Sequence, residues 1–213
     1  MHNPQREPEV DSFSIRQGAY LPHWRKSGVV YAITFRLADS LPQQAIMQYK
    51  TERAQLLRSI ELHKTPPTRE ELIAMHRLFR EKIDKLLDAG AGACWMSNPA
   101  IAELVAHALR HFDQQRYNLS AWCVMPNHVH VMFDVVGGFT VESILHSWKS
   151  FTATKANKYL CRKGDFWQTE YYNHIVRDDE DFANQINYVA KNPEAAGLEN
   201  WPWVWVKPSI GFD

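Results

Sequence analysis

Leu119 to Val124 and His128 to Val135 are two short apolar runs separated only by Met125-Pro126-Asn127. Apolar runs of that length read as strands, and Pro and Asn between them supply a turn, so the pair forms a β-hairpin. Side chains of an extended strand alternate between faces. His128 and His130 therefore point one way, while Val129, Val131 and Phe133 point the other. Two imidazoles on one sheet face can share a metal ion. With 10 His in 213 residues, however, chance supplies roughly half a His-x-His per chain, so the pair alone is a weak signal.

The rest of the chain is read around that hairpin. Residues 1 to 22 are polar and Pro-containing and are expected to form a flexible arm, with residues 23 to 213 as one domain. Val29 to Leu37 is rich in β-branched and aromatic residues and predicts the first strand. Ser40-Leu41-Pro42 reads as a helix start. Two charged amphipathic segments, 42–63 and 68–88, flank Thr65-Pro66-Pro67-Thr68 and predict an α-hairpin inserted over about 41–92. Asn98-Pro99 to Gln114 has Ile101, Leu104, Val105, Ala108, Leu109 and Phe112 at helical spacing. After Gly137-Gly138, a helix is expected from Thr140 or Val141 to about Leu160, with Ile144, Trp148 and Phe151 as its apolar face. Trp167 to Arg177 leads into a last strand, and Asp178 to Lys191 reads as a final helix that Pro193 stops. With the inserted hairpin removed, the order is β-α-β-β-α-β plus one helix. This is an α+β class, with the antiparallel sheet of a ferredoxin-like fold.

Composition removes several alternatives. Hydrophobic residues make up 45 % and aromatic residues 12 %, as expected of a folded chain. No apolar run approaches the roughly 20 residues of a membrane span, and the start MHNPQREPEVDS lacks a signal-peptide core, so a soluble, unexported protein is expected. Cys94, Cys123 and Cys161 are odd in number and far apart, which suggests neither a disulfide framework nor a zinc ribbon and fits a reducing cytoplasm. The formal net charge is zero, so any nucleic-acid surface must be local.

The final helix carries acidic residues in its first turn, where they favour the helix dipole. Further along, Tyr188 and Asn192 lie four apart and present a phenol and an amide on one face. On the residues alone, a half-buried Tyr beside a helix-capping Asn explains the pair equally well.

Several ordered blocks carry a resemblance. They are Leu21-Pro22-His23-Trp24, Thr34-Phe35-Arg36-Leu37, Met125-Pro126-Asn127-His128-Val129-His130, Phe166-Trp167-Gln168 before Tyr171, His174-Ile175-Val176-Arg177, Tyr188, Asn192-Pro193 and Ala196-Gly197-Leu198. In that order the chain resembles the REP-associated tyrosine transposases, relatives of the insertion-sequence single-tyrosine transposases. The resemblance runs from about residue 20 to the end and is weakest across the inserted hairpin. It implies a His-hydrophobe-His nuclease on a ferredoxin-like sheet that cuts single-stranded DNA beside imperfect, REP-like hairpins. His128 and His130 match the family's metal-binding pair, Tyr188 its nucleophile and Asn192 its third metal ligand, where the insertion-sequence relatives usually carry Gln. The implied cofactor is Mg²⁺ or Mn²⁺. The implied setting is a bacterial cytoplasm, at the nucleoid, with no membrane. Relatives include dimers that exchange the tyrosine helix, so monomer and homodimer both stay open.

Chemistry is consistent with those roles. A phosphodiester repels an incoming anion, and a divalent cation on a non-bridging oxygen lowers the barrier. A free phenol has a pKa of about 10, so attack at neutral pH needs the metal or a base to assist its deprotonation. Tyr171 and Tyr172 are rival nucleophiles beside His174. His174 is either a group supporting the metal ligands from behind or a structural histidine.

For the DNA, no acidic residue falls between Glu142 and Asp165, whereas Lys149, Lys155, Lys158, Arg162 and Lys163 do. Lys155, Lys158 and Arg162 share one helix face, which suits phosphates and is also what an ordinary solvated face looks like. His23, Arg25 and Lys26 form a second basic cluster, and Arg177 a further candidate contact. Trp201-Pro202-Trp203-Val204-Trp205 alternates like a strand, its indoles suited either to stacking on bases or to covering the core. Competing readings are a histidine-triad hydrolase, whose third His would fall at Met132, a zinc-binding domain using Cys123 and His174, and a domesticated hairpin-binding protein that no longer cuts.

Overall fold

The computed structural model describes residues 14–17, 22–25, 28–42 and 82–208, with residues 44, 45, 47, 48, 51, 52, 55 and 58 of the inserted hairpin. Two short strands, β1 (Ser14–Gln17) and β2 (Pro22–Arg25), pair antiparallel as a separate ribbon. Most of the expected arm lies outside the described residues, as does Lys26; the side chains of His23 and Arg25 are also outside them.

The main sheet has five strands in the order β6-β3-β5-β4-β7, all antiparallel. They are β3 (Val30–Arg36), β4 (Tyr117–Val124), β5 (His128–Val135), β6 (Tyr172–Ile175) and β7 (Val204–Val206). Helices α1 (Pro99–Arg110), α2 (Val141–Tyr159) and α3 (Asp179–Ala195) follow β3, β5 and β6 in the chain. The chain thus traces the expected β-α-β-β-α-β order, and the Trp-rich segment adds β7 as an edge strand against β4. There Trp205 lies opposite Trp122, and Trp201 Nε1 donates to the Val124 carbonyl at 2.7 Å.

Period-two alternation decides which layer each residue serves. Val129, Val131 and Phe133 join Tyr31, Ile33 and Phe35 on one face, where α1 supplies Ile101, Val105 and Leu109 and α2 supplies Ile144, Leu145 and Trp148. Polar atoms in this layer are paired: Trp148 Nε1 donates to the Tyr117 hydroxyl at 2.9 Å, which donates to the Leu109 carbonyl at 2.8 Å. The other face carries Ala32, Ala121, Cys123 and Met132 and is covered by α3 through Phe182, Ile186 and Val189. His128 and His130 belong to this second face, away from α2.

Helix ends follow their capping chemistry. The Asn98 side chain accepts from Ala100 N, and Pro99 takes the first turn of α1. Thr140 and Ser143 close a reciprocal capping box on α2. Three expectations are corrected. Helix α1 ends at Arg110 and not near Gln114, because the chain turns there and Gln114 adopts φ 62°. Pro193 does not stop α3, which continues to Ala195. A proline removes only its own N–H, and the following turn is held by Ala196 N to Asn192 O at 3.0 Å and Leu198 N to Pro193 O at 2.8 Å. Phe151 is not in the apolar face of α2; it is 43 % exposed, since Trp148 and Thr152 already fill the positions facing the sheet.

Within the insertion, the described residues from 44 to 58 and the stretch 82–88 are helical. The second helical stretch is docked firmly. Leu87 is fully buried, and Ala93 N donates to Asp39 Oδ2 at 2.9 Å. Gly92 has φ +90°, and a Cβ there would come within 2.6 Å of the Asp39 carbonyl, so the return to the sheet requires glycine.

Candidate active site

Strand β5 delivers the two imidazoles with both rings buried, His128 at 0 % and His130 at 2 % exposure. Their orientation is set by neighbours. Asn127 Nδ2 donates to the carbonyls of Leu87 (3.0 Å) and Ala91 (2.9 Å), which leaves its Oδ1 to accept from His128 Nδ1 at 2.7 Å. Burial pushes the His128 pKa down to about 3, so the ring is neutral with its proton on Nδ1. The Nε2 lone pair of His128 then faces His130 Nε2, 2.9 Å away. His130 therefore donates through Nε2, and its Nδ1 lies 2.8 Å from the Thr34 hydroxyl. Thr34 stands directly across from His130 in the β3/β5 register.

Helix α3 brings Tyr188 and Asn192 over the same face. The Tyr188 ring stands edge-on to His130 with centroids 5.1 Å apart. One turn on, Asn192 is 3 % exposed and its Oδ1 has no hydrogen-bond partner among the described residues. A buried amide oxygen without a donor is costly, and it is the kind of atom a cation satisfies.

The insertion contributes two carboxylates that the sequence reading did not select. The Tyr188 hydroxyl donates to Asp84 Oδ2 at 2.8 Å, across 104 residues of chain. One helical turn further, Asp88 Oδ1 lies 3.9 Å from His128 Nε2, with no hydrogen-bond partner for that oxygen. Burial, and then the charge of Asp84, push the Asp88 carboxyl up to about 6. The spacing of Asp84 and Asp88 at i and i+4 was visible in the sequence, but nothing there tied that helix face to β5. Asn127 was visible too, as a turn residue, though not as the clamp between insertion and imidazole.

These donors fit a divalent cation. Ligands about 2.1 Å from an ion lie about 3.0 Å apart at adjacent corners of an octahedral shell and about 4.2 Å apart at opposite corners. The His128 to His130 distance matches the first, and the Asp88 to His128 distance falls inside the second. A carboxylate also supplies the charge that two imidazoles and an amide lack, as hard cations prefer. Among the described residues, no three His, Cys, Asp or Glu side chains are already drawn together as a complete cation site.

The remaining candidates make other contacts. His174 Nε2 bonds Asp181 Oδ2 at 2.8 Å at the start of α3, and Arg177 bonds the same oxygen through its backbone N (3.1 Å) and its Nε (3.0 Å). Lys149 is half-buried and donates to the carbonyls of Gln168 (2.6 Å) and Thr169 (2.8 Å), with burial lowering its pKa to about 8. Arg162 is also engaged, with Asn157 Oδ1 at 2.7 Å and the Asp165 carbonyl at 3.1 Å. Lys155, Lys158 and Lys163 are exposed, the first two on α2 in the layer opposite the imidazoles. Tyr172 stands opposite Thr34 in the β3/β6 register, on the sheet face that carries His130, while Tyr171 packs against the layer of α1 and α2.

Residues 96–192 match the family model described as "Transposase IS200 like". This segment includes His128, His130, Tyr188 and Asn192. The chain is 23 % identical over 106 residues to a REP-associated tyrosine transposase of Escherichia coli (strain K12), covering 47 % of this chain and 62 % of that one. It is 25 % identical over 97 residues to a putative REP-associated tyrosine transposase of Haemophilus influenzae, covering 39 % and 55 %. The matches thus span less than two thirds of either relative. A solved structure of a REP-associated tyrosine transposase bound to a REP hairpin aligns over 90 % of this chain and 81 % of its own, at 16 % identity and TM-score 0.47. The resemblance to REP-associated, IS200-like transposases read from the sequence is found again in these matches. No described helix is long and apolar enough to cross a membrane.

Proposed function

We propose that this chain, IS200-like over residues 96–192, is a transposase-like enzyme that cuts and rejoins single-stranded DNA beside REP-like hairpins. The observation that carries the reading is the edge-on contact of the Tyr188 phenol of α3 with the paired imidazoles of β5, with the amide oxygen of Asn192, one turn along α3, unpartnered among the described residues. A metal site alone does not need the phenol, and a buried Tyr alone does not need the orphaned amide.

In this reading His128, His130 and Asn192 hold Mg²⁺ or Mn²⁺, with Asp88 alongside. The cation supplies neutralisation of a non-bridging phosphate oxygen. The chain's own residues do the rest. Tyr188 Oη attacks phosphorus and forms a 5′-phosphotyrosine, the bond to the 3′ oxygen breaks, and a 3′-hydroxyl is released, so the bond energy is retained for rejoining. Asn127 and Thr34 hold the two rings with their Nε2 atoms facing each other, and ligation of a cation by His130 would require its Nε2 proton to leave or move to Nδ1. The contact of Tyr188 with His130 of its own chain supports a site assembled within one chain. Exposed Lys155, Lys158 and Lys163 offer a phosphate-binding face for the flanking hairpin.

The test incubates the protein with Mn²⁺ or Mg²⁺ and single-stranded hairpin DNA and looks for a covalent adduct on a denaturing gel. An adduct is expected from the parent and not from Tyr188→Phe. Hairpin binding without cleavage by any REP-like substrate would instead favour the domesticated binding protein.

A further inference from the structure

We propose that Asp84, supplied by the inserted helix, is the general base that takes the Tyr188 proton during attack. The inference rests on the phosphotyrosine reading above. It begins from the hydrogen bond that the Tyr188 hydroxyl donates to Asp84 Oδ2 at 2.8 Å. That distance is within the reach a general base needs, about 2.6–3.2 Å. Donating to the carboxylate engages the phenol's proton, the one that attack must remove.

The step balances as follows. The Tyr188 Oη to phosphorus bond forms as the phosphorus to 3′-oxygen bond breaks. The phenol proton passes to Asp84 Oδ2, and the departing 3′ oxygen takes a proton from solvent. On rejoining, a 3′-hydroxyl loses its proton to solvent as its oxygen bonds phosphorus, the phosphorus to Tyr188 Oη bond breaks, and Asp84 returns its proton to Tyr188. An ordinary phenol is weaker than an ordinary carboxylic acid by about 6 pKa units, so transfer in the resting enzyme is uphill. It becomes favourable only as the oxygen bonds phosphorus, which ties proton transfer to attack and keeps the resting phenol protonated and inert.

The surroundings favour this role over a mere tether. Asp84 lies outside the matched segment 96–192, and its helix is fixed by the buried Leu87 and by Asn127, the residue that also orients His128. Base and metal ligand are thus held by one side chain. Asp88, one turn along the same helix face, and His128, His130 and the buried Cys123 across from it are titratable groups around the site.

The experiment uses the full chain with Mn²⁺ and a single-stranded hairpin, in single turnover. Asp84→Asn keeps an acceptor oxygen but has no site for the proton. It is expected to slow adduct formation by about 100-fold or more, with hairpin affinity and melting temperature near the parent's. Asp84→Glu is expected to recover most of the rate, and formate to accelerate Asp84→Ala without effect on Tyr188→Phe. Asp84→Asn forming adduct at the parent rate would overturn the proposal, as would an Asp84→Ala that formate does not rescue. Should Asp84→Asn fail to fold, formate rescue of Asp84→Ala and the Asp84→Glu rate decide alone. A parent protein that forms no adduct would sink the phosphotyrosine reading itself, and the base role with it; a parent that reacts while Asp84 proves dispensable removes only the base.

Discussion

At the residue scale, Asn127 links more of the site than any group chosen for its chemistry. Its amide nitrogen holds the insertion through Leu87 and Ala91, and its oxygen sets the His128 tautomer. Asn127→Ala therefore removes three hydrogen bonds and leaves buried carbonyls unpaired. A loss of about 2–4 kcal/mol in denaturant unfolding is expected, with a 10- to 100-fold weaker Mn²⁺ affinity by calorimetry. His128→Ala is expected to abolish metal-dependent cutting while leaving most hairpin binding, checked by gel shift beside the adduct assay. The imidazole pair was legible in the sequence because strand alternation is local. Thr34 was quoted there only as part of a block, since its place opposite His130 depends on strand register.

At the element scale, α3 is positioned by its own N-terminus. Asp178 caps it through Asp181 N at 2.8 Å, and Asp181 in turn gathers His174 and two donors of Arg177. Burial raises the Asp181 carboxyl, but the hydrogen bonds from Arg177 and His174 outweigh it and hold the pKa down at about 2. A depressed carboxylate contributes stability that is complete above its unfolded value, near 3.8, and disappears as pH falls through 2. Acid unfolding in that window should become shallower in Asp181→Asn, which is also expected to cost about 1–3 kcal/mol at neutral pH. Because α3 carries Tyr188, the same variant should slow adduct formation. The helix and its acidic first turn were readable from the sequence. Its run past Pro193 was not, because the bonds that continue it come from residues beyond the proline.

At the scale of the whole molecule, the sheet separates two layers with different work. Aromatic packing of Tyr117, Phe133 and Trp148 fills the layer under α1 and α2. Trp148→Ala is expected to cost about 3–5 kcal/mol there, measured by thermal or denaturant unfolding. The imidazoles and α3 occupy the other layer, so the exposed lysines of α2 do not border the proposed chemistry. Replacing Lys155 and Lys158 by Ala is expected to lower the salt slope of hairpin binding by about 2, while DNA already bound forms adduct at the parent rate.

What the sequence by itself determined is whatever repeats over a few residues: the alternation that puts His128 and His130 together, the helical period that joins Tyr188 to Asn192, and the order of strands and helices. Only the tertiary structure decided which of these faces meet. Asp84 and Asp88 sit 40 or more residues from the His pair in sequence, and their contact with it depends on how the insertion docks. Local periodicity fixes the direction in which a side chain points along its own element; the partner it meets is set by the packing of elements whose separation in sequence leaves no periodic trace.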